Sequence, residues 1–129
     1  MILLDTHVLV WTLLDPRKLS KKARQAILGA RVSGGVAVAS ITLWELAWLA
    51  ENRRIQVAGT VEAFVRECVA KVSVRPLTPE IASHAVRLPD CYPKDPQDRL
   101  IGATAIVEGV PLVTADAHIR NSKMVRTIW

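Results

Sequence analysis

The sequence predicts an α/β fold with a short, mostly parallel central sheet flanked by helices. Short, continuous apolar runs such as 36–39 have the length and composition of strands that are buried on both faces. Segments with helical patterns and capping residues separate these runs, and this alternation favours parallel strands joined by helices. The length of 129 residues, half of them hydrophobic, fits a single domain over 1–129 with its own core.

The predicted elements alternate along the whole chain. In chain order, strands are predicted at 1–4, 36–39, 72–77, 110–114 and 124–129. Helices are predicted between them at 6–14, 20–31, 40–52, 60–71, 78–87 and 95–108. The segment 88–94 contains two prolines and is predicted to be a loop.

Capping residues and helix breakers set the ends of the predicted helices. Side chains that can accept hydrogen bonds from the first turn precede most of them: Ser20, Ser40 or Thr42, Thr78 and Asp95. A proline follows Thr78 and Asp95 at the first helical position, where no backbone donor is needed. Asp15-Pro16 ends the first helix, and Gly34-Gly35 separates the second helix from the next strand.

The composition excludes a membrane-spanning helix. The longest run without a charge, 32–44, has 13 residues and contains two glycines, whereas a bilayer span needs about 20 apolar residues. The apolar N-terminus has no basic leader and contains Asp5, so no signal peptide is predicted. Cys68 and Cys91 form no metal-binding pair, and we expect reduced thiols in a cytoplasmic protein, with a disulfide as the alternative.

An excess of basic residues suggests a polyanionic partner. The chain has 17 Lys and Arg against 12 Asp and Glu, which gives a net charge of +5. Five cations fall within 17–24, and smaller groups occur at 53–54 and 120–126. Such clusters attract nucleic acid, although each one alone is also typical of a solvated helix face.

Four acidic residues stand in apolar surroundings: Asp5, Glu45, Asp98 and Asp116. Two of them follow predicted strands, and the other two lie in the first turns of predicted helices. Each has a structural alternative, because all four positions are compatible with helix capping. In a parallel sheet, however, ligands bind outside the carboxyl ends of the strands, and the four carboxylates are expected to converge there.

Converging carboxylates repel each other, and a hard divalent cation relieves that repulsion. Mg²⁺ and Mn²⁺ prefer oxygen ligands and keep some of their water molecules. Above a nucleic-acid backbone, such an ion orients water, lowers its pKa and stabilises negative charge on the phosphate. An acidic pocket in a basic protein therefore predicts metal-dependent hydrolysis of phosphodiester bonds.

Several polar residues near the acidic quartet have less certain roles. Asp95 is expected to cap a helix rather than to bind a metal ion. His118 is a candidate contact for a phosphate, and the role of His7 is open. Arg99 is predicted either to contact a backbone phosphate or to pair with a neighbouring carboxylate.

The order and spacing of several motifs resemble those of the PIN-domain ribonucleases, and within them the VapC-type toxins of type II toxin–antitoxin pairs. The resemblance covers essentially the whole chain. The motifs that carry it are Leu3-Leu4-Asp5-Thr6-His7, Asp15-Pro16-Arg17-Lys18-Leu19-Ser20, Trp44-Glu45-Leu46-Ala47, Asp95-Pro96-Gln97-Asp98-Arg99-Leu100-Ile101-Gly102-Ala103-Thr104-Ala105, Leu112-Val113-Thr114-Ala115-Asp116 and Ile128-Trp129.

This resemblance implies a PIN-like three-layer fold and a Mg²⁺- or Mn²⁺-dependent endoribonuclease. It implies that Asp5 and Asp98 bind the metal ion, while Glu45 and Asp116 complete the pocket or bind through water. Two hydroxyl groups are expected to orient a carboxylate or a water molecule: those of Thr6 and Thr114. His118 and Arg99 become possible RNA contacts.

The resemblance also implies partners. Such enzymes cut RNA, form homodimers and are inhibited by a small VapB-like antitoxin that occupies the groove of the active site. Trp44 and Trp48 are expected to pack in the core or in a dimer, with base stacking or contact with an antitoxin helix as alternatives.

The sequence departs from the family pattern at some positions, and other classes of function stay open. The residues at 91–92, 97 and 121–123 differ from those of many relatives, which leaves substrate choice and partner pairing open but does not touch the acidic quartet. One alternative is a PIN-fold RNA-processing nuclease or RNA-binding domain outside a toxin–antitoxin pair. A receiver-like phosphoacceptor domain is a remote alternative, because Asp5 has no adjacent acidic partner and Glu45 lies within a predicted helix.

Overall fold

A computed structural model describes all 129 residues and contains five strands and seven α-helices. The strands are β1 (Ile2–Leu4), β2 (Val36–Ala39), β3 (Ser73–Arg75), β4 (Leu112–Val113) and β5 (Thr127–Ile128). The helices are α1 (Thr6–Leu14), α2 (Lys21–Val32), α3 (Ile41–Glu51), α4 (Val61–Cys68), α5 (Pro79–Arg87), α6 (Pro96–Glu108) and α7 (Ala117–Ser122). None of these helices is long and apolar enough to cross a bilayer.

The five strands form one parallel sheet in the order β3-β2-β1-β4-β5. In the central strand, Leu3 is paired with Ala37 of β2 on one side and with Leu112 of β4 on the other. From the central strand β1, the chain adds β2 and β3 on one side of the sheet. It then crosses to the other side of β1, where it adds β4 and β5. The strand order therefore reverses between β1 and β4, which is where parallel sheets bind their ligands.

Helices cover both faces of the sheet and create two main apolar clusters. Leu4 and Val38 point to one face, where they pack with residues of α1, α2 and α4. Leu3, Ala37 and Leu112 point to the opposite face, where they pack with α6 and α7. This alternation along β1 gives a helix–sheet–helix sandwich, and the predicted α/β class with a parallel sheet is confirmed.

Several predicted elements are shorter in the structure than in the sequence-based prediction. The last three strands contain only three, two and two residues, and α4 ends at Cys68 rather than near residue 71. A short 3-10 turn at Pro16–Lys18 separates α1 from α2. The apolar runs around the short strands therefore continue as loops that still cover the core.

Most predicted caps form, but the one predicted for α3 is wrong. The side chains of Ser20 and Thr78 accept hydrogen bonds from the first turns of their helices, and Thr60, which was not predicted as a cap, does the same for α4. Ser40 instead has a helical backbone conformation, and its hydroxyl accepts a hydrogen bond from the backbone N–H of Leu77 at 3.1 Å. This contact ties the end of β2 to the segment after β3, so the hydroxyl is not available to α3.

The predicted chain break at Gly34-Gly35 is a tight turn that requires glycine. Gly34 has a φ of 93°, and a Cβ atom there would lie 2.6 Å from the backbone nitrogen of Met1. Both the left-handed conformation and the close approach of the N-terminus exclude a larger residue. The turn connects α2 to β2, which lies beside β1 in the sheet.

Candidate active site

The four acidic residues selected from the sequence lie at the carboxyl edge of the sheet. Asp5 directly follows β1, and Asp116 follows β4, where each is the N-cap of the next helix. Glu45 is on the second turn of α3, which begins after β2, and Asp98 is in the first turn of α6. The structure thus brings all four to the edge where the strand order reverses.

Asp5 is the buried member of the quartet, with only 4% of its surface exposed. Its Oδ1 accepts a hydrogen bond from the backbone N–H of Thr6 at 2.8 Å, and its Oδ2 accepts one from the Thr114 hydroxyl at 2.6 Å. The Nδ1 atom of His7 is 3.7 Å from Oδ2. These contacts satisfy the buried carboxylate and fix its orientation.

The side chain of Glu45 is held by a short chain of hydroxyl groups. The Thr6 hydroxyl donates to Oε1 of Glu45 at 2.6 Å, and its oxygen is also 2.9 Å from the Thr42 hydroxyl oxygen. Because Thr6 has one hydroxyl proton, Thr42 donates in the second bond. Burial raises the pKa of Glu45, the bond from Thr6 lowers it, and the charges of Asp5 and Asp95 raise it further.

The Thr114 hydroxyl connects two members of the quartet. It donates to Asp5, and it accepts a hydrogen bond from the backbone N–H of Asp116 at 3.1 Å. Oδ1 of Asp116 accepts hydrogen bonds from the backbone N–H groups of His118 and Ile119. Asp116 therefore caps α7, which is the structural role predicted for it as an alternative. The other carboxylate oxygen of Asp116 has no hydrogen-bond partner within the protein and is free for a ligand.

The carboxyl group of Asp98 is the most strongly perturbed of the four. Its pKa is raised from 3.8 to about 7, first by burial and then by the negative charges of Asp5, Asp95, Asp116 and Glu45. The other three members of the quartet therefore all act on this one carboxyl group. Such a set of like charges in a half-buried crevice is stable only with protons or with a cation.

Basic side chains of the protein do not compensate this charge. Apart from the contact of His7 with Asp5, the ion pairs lie elsewhere, and Glu45, Asp98 and Asp116 have no basic partner within 4.0 Å. A set of uncompensated carboxylate oxygens is the donor chemistry that a hard divalent cation requires. No three acidic, histidine or cysteine side chains lie close enough together to form a ready-made metal site.

Two residues that support Asp98 were not assigned roles from the sequence. Tyr92 is almost completely buried, and its hydroxyl donates to the backbone carbonyl of Asp98 at 2.9 Å. Gly102 lies one turn further along α6, and a Cβ atom there would collide with the Tyr92 hydroxyl. The only sequence signal is a small residue four positions after Asp98, and nothing in the sequence indicates that Tyr92 reaches it.

Arg99 binds the loop before α6. Its guanidinium donates to the carbonyl of Leu88 at 2.6 Å and to that of Ala85 at 3.3 Å, with longer contacts to Pro89 and Tyr92. Arg99 forms no ion pair, so the predicted pairing with a carboxylate does not occur. These contacts attach the end of α5 to α6, and a phosphate contact by Arg99 stays a prediction.

The remaining candidates lie around the rim of the site. Nε2 of His7 accepts the backbone N–H of Ala115 at 3.3 Å, so the neutral ring carries its proton on Nδ1, facing Asp5. His118 is exposed at the start of α7, and its contact with RNA stays a prediction. Asp95 caps α6 by accepting the N–H of Gln97, as expected.

Comparisons with known proteins agree with this geometry. The family model described as "PIN domain" matches residues 2–123. A curated relative, ribonuclease VapC22 of Mycobacterium tuberculosis, is 45% identical over 130 residues, which span 99% of this chain and 98% of the relative.

Solved structures with low sequence identity share the fold. VapBC2 from Rickettsia felis, bound to a DNA fragment from its promoter, has a TM-score of 0.70 at 14% identity, covering 98% of this chain and 97% of the matched chain. DNA-bound VapBC from Salmonella typhimurium has a TM-score of 0.69 at 21% identity, with 98% and 95% covered.

Proposed function

The chain belongs to the PIN-domain family, and we propose that it is a divalent-metal-dependent endoribonuclease, the toxin of a type II toxin–antitoxin pair. The observation that carries this proposal is the acidic quartet, three of whose members have no basic partner in a protein of net charge +5. The 45% identity to a VapC ribonuclease supports RNA as the substrate. We propose one PIN domain over 1–129 that acts in the cytoplasm.

The quartet would hold Mg²⁺ or Mn²⁺. We assign Asp5 and Asp98 as direct ligands, with Glu45 and Asp116 completing the pocket or binding through water. When bound, the cation would lower the pKa of a water molecule and stabilise the charge that develops on the phosphate during hydrolysis. A cation would draw these carboxylates together, because it replaces their mutual repulsion by attraction.

The protein's own residues orient this site. The Thr6 hydroxyl holds one oxygen of Glu45, and the Thr114 hydroxyl holds one oxygen of Asp5. Because a threonine fixes one oxygen of each carboxylate, the orientation of the remaining lone pairs is fixed as well. The site is therefore preorganised before a ligand binds. We assign Thr6 and Thr114 as positioning residues rather than as ligands.

An antitoxin partner has a suitable surface on α3. Trp44 is 52% exposed and lines an apolar groove with Ile41, Leu77 and Leu100, close to the helix that carries Glu45. An apolar helix of a small VapB-like partner would cover this groove. Solved relatives described as toxin–antitoxin complexes support this partner, and we propose a homodimer as the toxin's own assembly.

Cleavage of RNA by the purified protein tests the enzymatic proposal. We expect cleavage of a structured RNA with Mg²⁺ or Mn²⁺ and none with EDTA. Asp5→Asn and Asp98→Asn should each lower the rate by about 10³-fold or more, because each removes a charged ligand. Asp95→Asn is the matched control, since it lies beside the quartet and keeps the helix cap; its rate should stay within several-fold.

Two results would contradict the proposal. Full cleavage in EDTA would exclude a metal-dependent reaction, and equal cleavage by wild type, Asp5→Asn and Asp98→Asn would show that these carboxylates do not carry the reaction. Purification of the protein from its native host without a small companion would remove the toxin–antitoxin assignment but leave the nuclease assignment standing.

A further inference from the structure

Three aromatic rings lie in contact beside the acidic site. His7 follows Asp5 on the first turn of α1, and the ring centroids of His7 and Trp11 are 4.9 Å apart. The ring of Trp129, after β5, is 5.9 Å from that of Trp11. Because β1 and β5 are parallel, the end of β5 lies at the same edge of the sheet as Asp5. We call His7, Trp11 and Trp129 the aromatic cluster.

A lysine ammonium group lies over one ring of this aromatic cluster. The ammonium group of Lys18 lies 5.8 Å from the centre of the Trp11 ring. Arg17, the next cation, is 91% exposed. On the adjacent first turn of α2, Lys21 and Lys22 are exposed as well. These cations are close neighbours along the chain, at positions 17, 18, 21 and 22, and Arg17 also pairs with Asp15 at 3.1 Å.

Packing alone does not account for the aromatic cluster. Trp11 and Trp129 contact the apolar core at one edge, but both remain half-buried, and 35% of the His7 side chain is exposed. Rings that present a free surface, next to cations and to a site of phosphodiester cleavage, match the surfaces on which single-stranded nucleic acids bind. Such proteins stack bases on aromatic rings and neutralise phosphates with lysine and arginine.

We propose that the aromatic cluster is a stacking site for an unpaired base of the RNA substrate, and that Lys18 neutralises the neighbouring phosphate. This inference rests on the proposed nuclease function and adds to it a binding site for one unpaired base, formed by named side chains beside the acidic site. The basic surroundings favour RNA over a protein partner here. An apolar partner helix is better matched by the groove at Trp44, where no cation lies over the ring.

Binding of short RNA to the purified full chain tests this proposal. The probes are fluorescein-labelled octauridylate and octaadenylate, with a blunt RNA duplex for comparison, all in EDTA so that no cleavage occurs. We expect both single strands to bind more tightly than the duplex. Trp129→Leu should weaken single-strand binding about tenfold, and Trp129→Phe should restore most of it, because every aromatic ring offers a stacking face.

Two further variants separate stacking from charge. Trp11→Leu should resemble Trp129→Leu, and thermal unfolding identifies any loss that comes from misfolding. Lys18→Gln should lower the slope of log K against log salt concentration by about 0.7, the value for one phosphate contact with a single strand. In cleavage assays with Mg²⁺, Trp129→Leu should raise KM about tenfold and change kcat less than threefold.

Trp48 provides the matched control. It is an exposed tryptophan with a cation nearby, since the guanidinium of Arg54 is 6.0 Å from its ring, but it lies on α3 and makes no ring contact with the aromatic cluster. Trp48→Leu should bind single strands like the wild type. An equal loss in Trp48→Leu, or unchanged binding in folded Trp129→Leu, would overturn the proposal.

Other outcomes assign the surface differently. If Trp129→Leu loses a co-purifying small protein or dissociates a homodimer while its RNA binding stays unchanged, the aromatic cluster is a protein interface and the proposal is wrong. If the wild type cleaves RNA but the variants bind normally, only this inference fails. If the wild type cleaves no RNA, the proposed function itself fails.

Discussion

Two electrostatic effects oppose each other at Asp98. The first turn of a helix favours a negative charge by about 0.3–1 kcal/mol, because unpaired backbone N–H groups point toward it. Burial and four nearby negative charges act in the opposite direction and raise the pKa of this carboxyl group to about 7. The second effect is larger, so Asp98 retains a proton well above its ordinary range until a cation compensates the charge.

A neutral replacement at Asp98 should change the pH dependence of stability. In the metal-free protein, the folded state holds the Asp98 proton to about pH 7, whereas the unfolded chain releases it near 3.8. The stability contributed by this carboxyl group is therefore present below pH 4 and lost as the pH rises to about 7. Asp98→Asn should remove this loss, so its free energy of unfolding at pH 8 should exceed that of the wild type by roughly 1–2 kcal/mol. This figure is lower than the full pKa shift implies, because solvent screens a half-exposed group.

Urea unfolding in EDTA at pH 4, 5.5 and 8 measures this difference. Asp90→Asn is the control, because Asp90 is exposed in the loop before α6, and its curve should run parallel to that of the wild type. The pKa assignment for Asp98 would be wrong if the Asp98→Asn curve were also parallel.

The Thr114 hydroxyl is expected to matter for stability as well as for the site. Thr114→Val keeps the shape of the side chain but leaves Oδ2 of buried Asp5 and the N–H of Asp116 without this partner. Each unsatisfied group costs about 1–3 kcal/mol, so we expect a loss of at least 2 kcal/mol in denaturant unfolding. Thr114→Ser keeps the hydroxyl and should lose less than half as much; equal losses would show that the hydroxyl contributes no more to stability than the methyl group does.

At the scale of elements, the start of α6 is fixed by the loop that precedes it. Arg99 binds backbone carbonyls at the end of α5 and in the loop, and Tyr92 closes the arrangement by bonding the carbonyl of Asp98. The ring of Tyr92 fits against α6 only because residue 102 has no side chain. The position of Asp98 therefore depends on contacts that do not involve its carboxyl group.

Two helical glycines give a direct test of this packing. A Cβ atom at Gly102 would collide with Tyr92, whereas a Cβ atom at Gly29 on exposed α2 would meet nothing within 4 Å. We expect Gly102→Ala to lower the free energy of unfolding by about 1–3 kcal/mol through overpacking and to reduce RNA cleavage. Gly29→Ala should raise it by about 0.5–1 kcal/mol through helix propensity. A neutral Gly102→Ala would refute the role assigned to Tyr92.

Local sequence signals were sufficient for most elements and for the quartet. Short apolar runs followed by Asp5 and Asp116 specify strands that end in capping acids, and both features depend on a few adjacent residues. Two features could not be predicted because they depend on distant partners. Ser40 bonds a backbone group 37 positions away instead of capping α3, and Tyr92 reaches α6 through a loop of prolines.

At the scale of the whole molecule, charge is divided between two regions. The formal net charge of +5 averages a basic exterior with an acidic site. With four acids gathered at the sheet edge, eight others oppose the 17 cations elsewhere, so the remaining surface is more strongly basic than the total suggests. A basic surface attracts RNA from solution, while the acidic edge repels phosphate until a cation is bound. In the proposed function, this division would make cleavage of the attracted RNA depend on metal binding.

Binding of Mn²⁺, followed by electron paramagnetic resonance of the free ion, tests the central claim that the carboxylates at this edge form a metal site. We predict that the wild type binds Mn²⁺ at pH 8 and that the Asp95→Asn control, which removes a nearby negative charge but no proposed ligand, binds it less than threefold more weakly. Asp5→Asn and Asp98→Asn should each bind at least tenfold more weakly, because each removes a charged oxygen ligand. Equal Mn²⁺ binding by all four proteins would contradict the account.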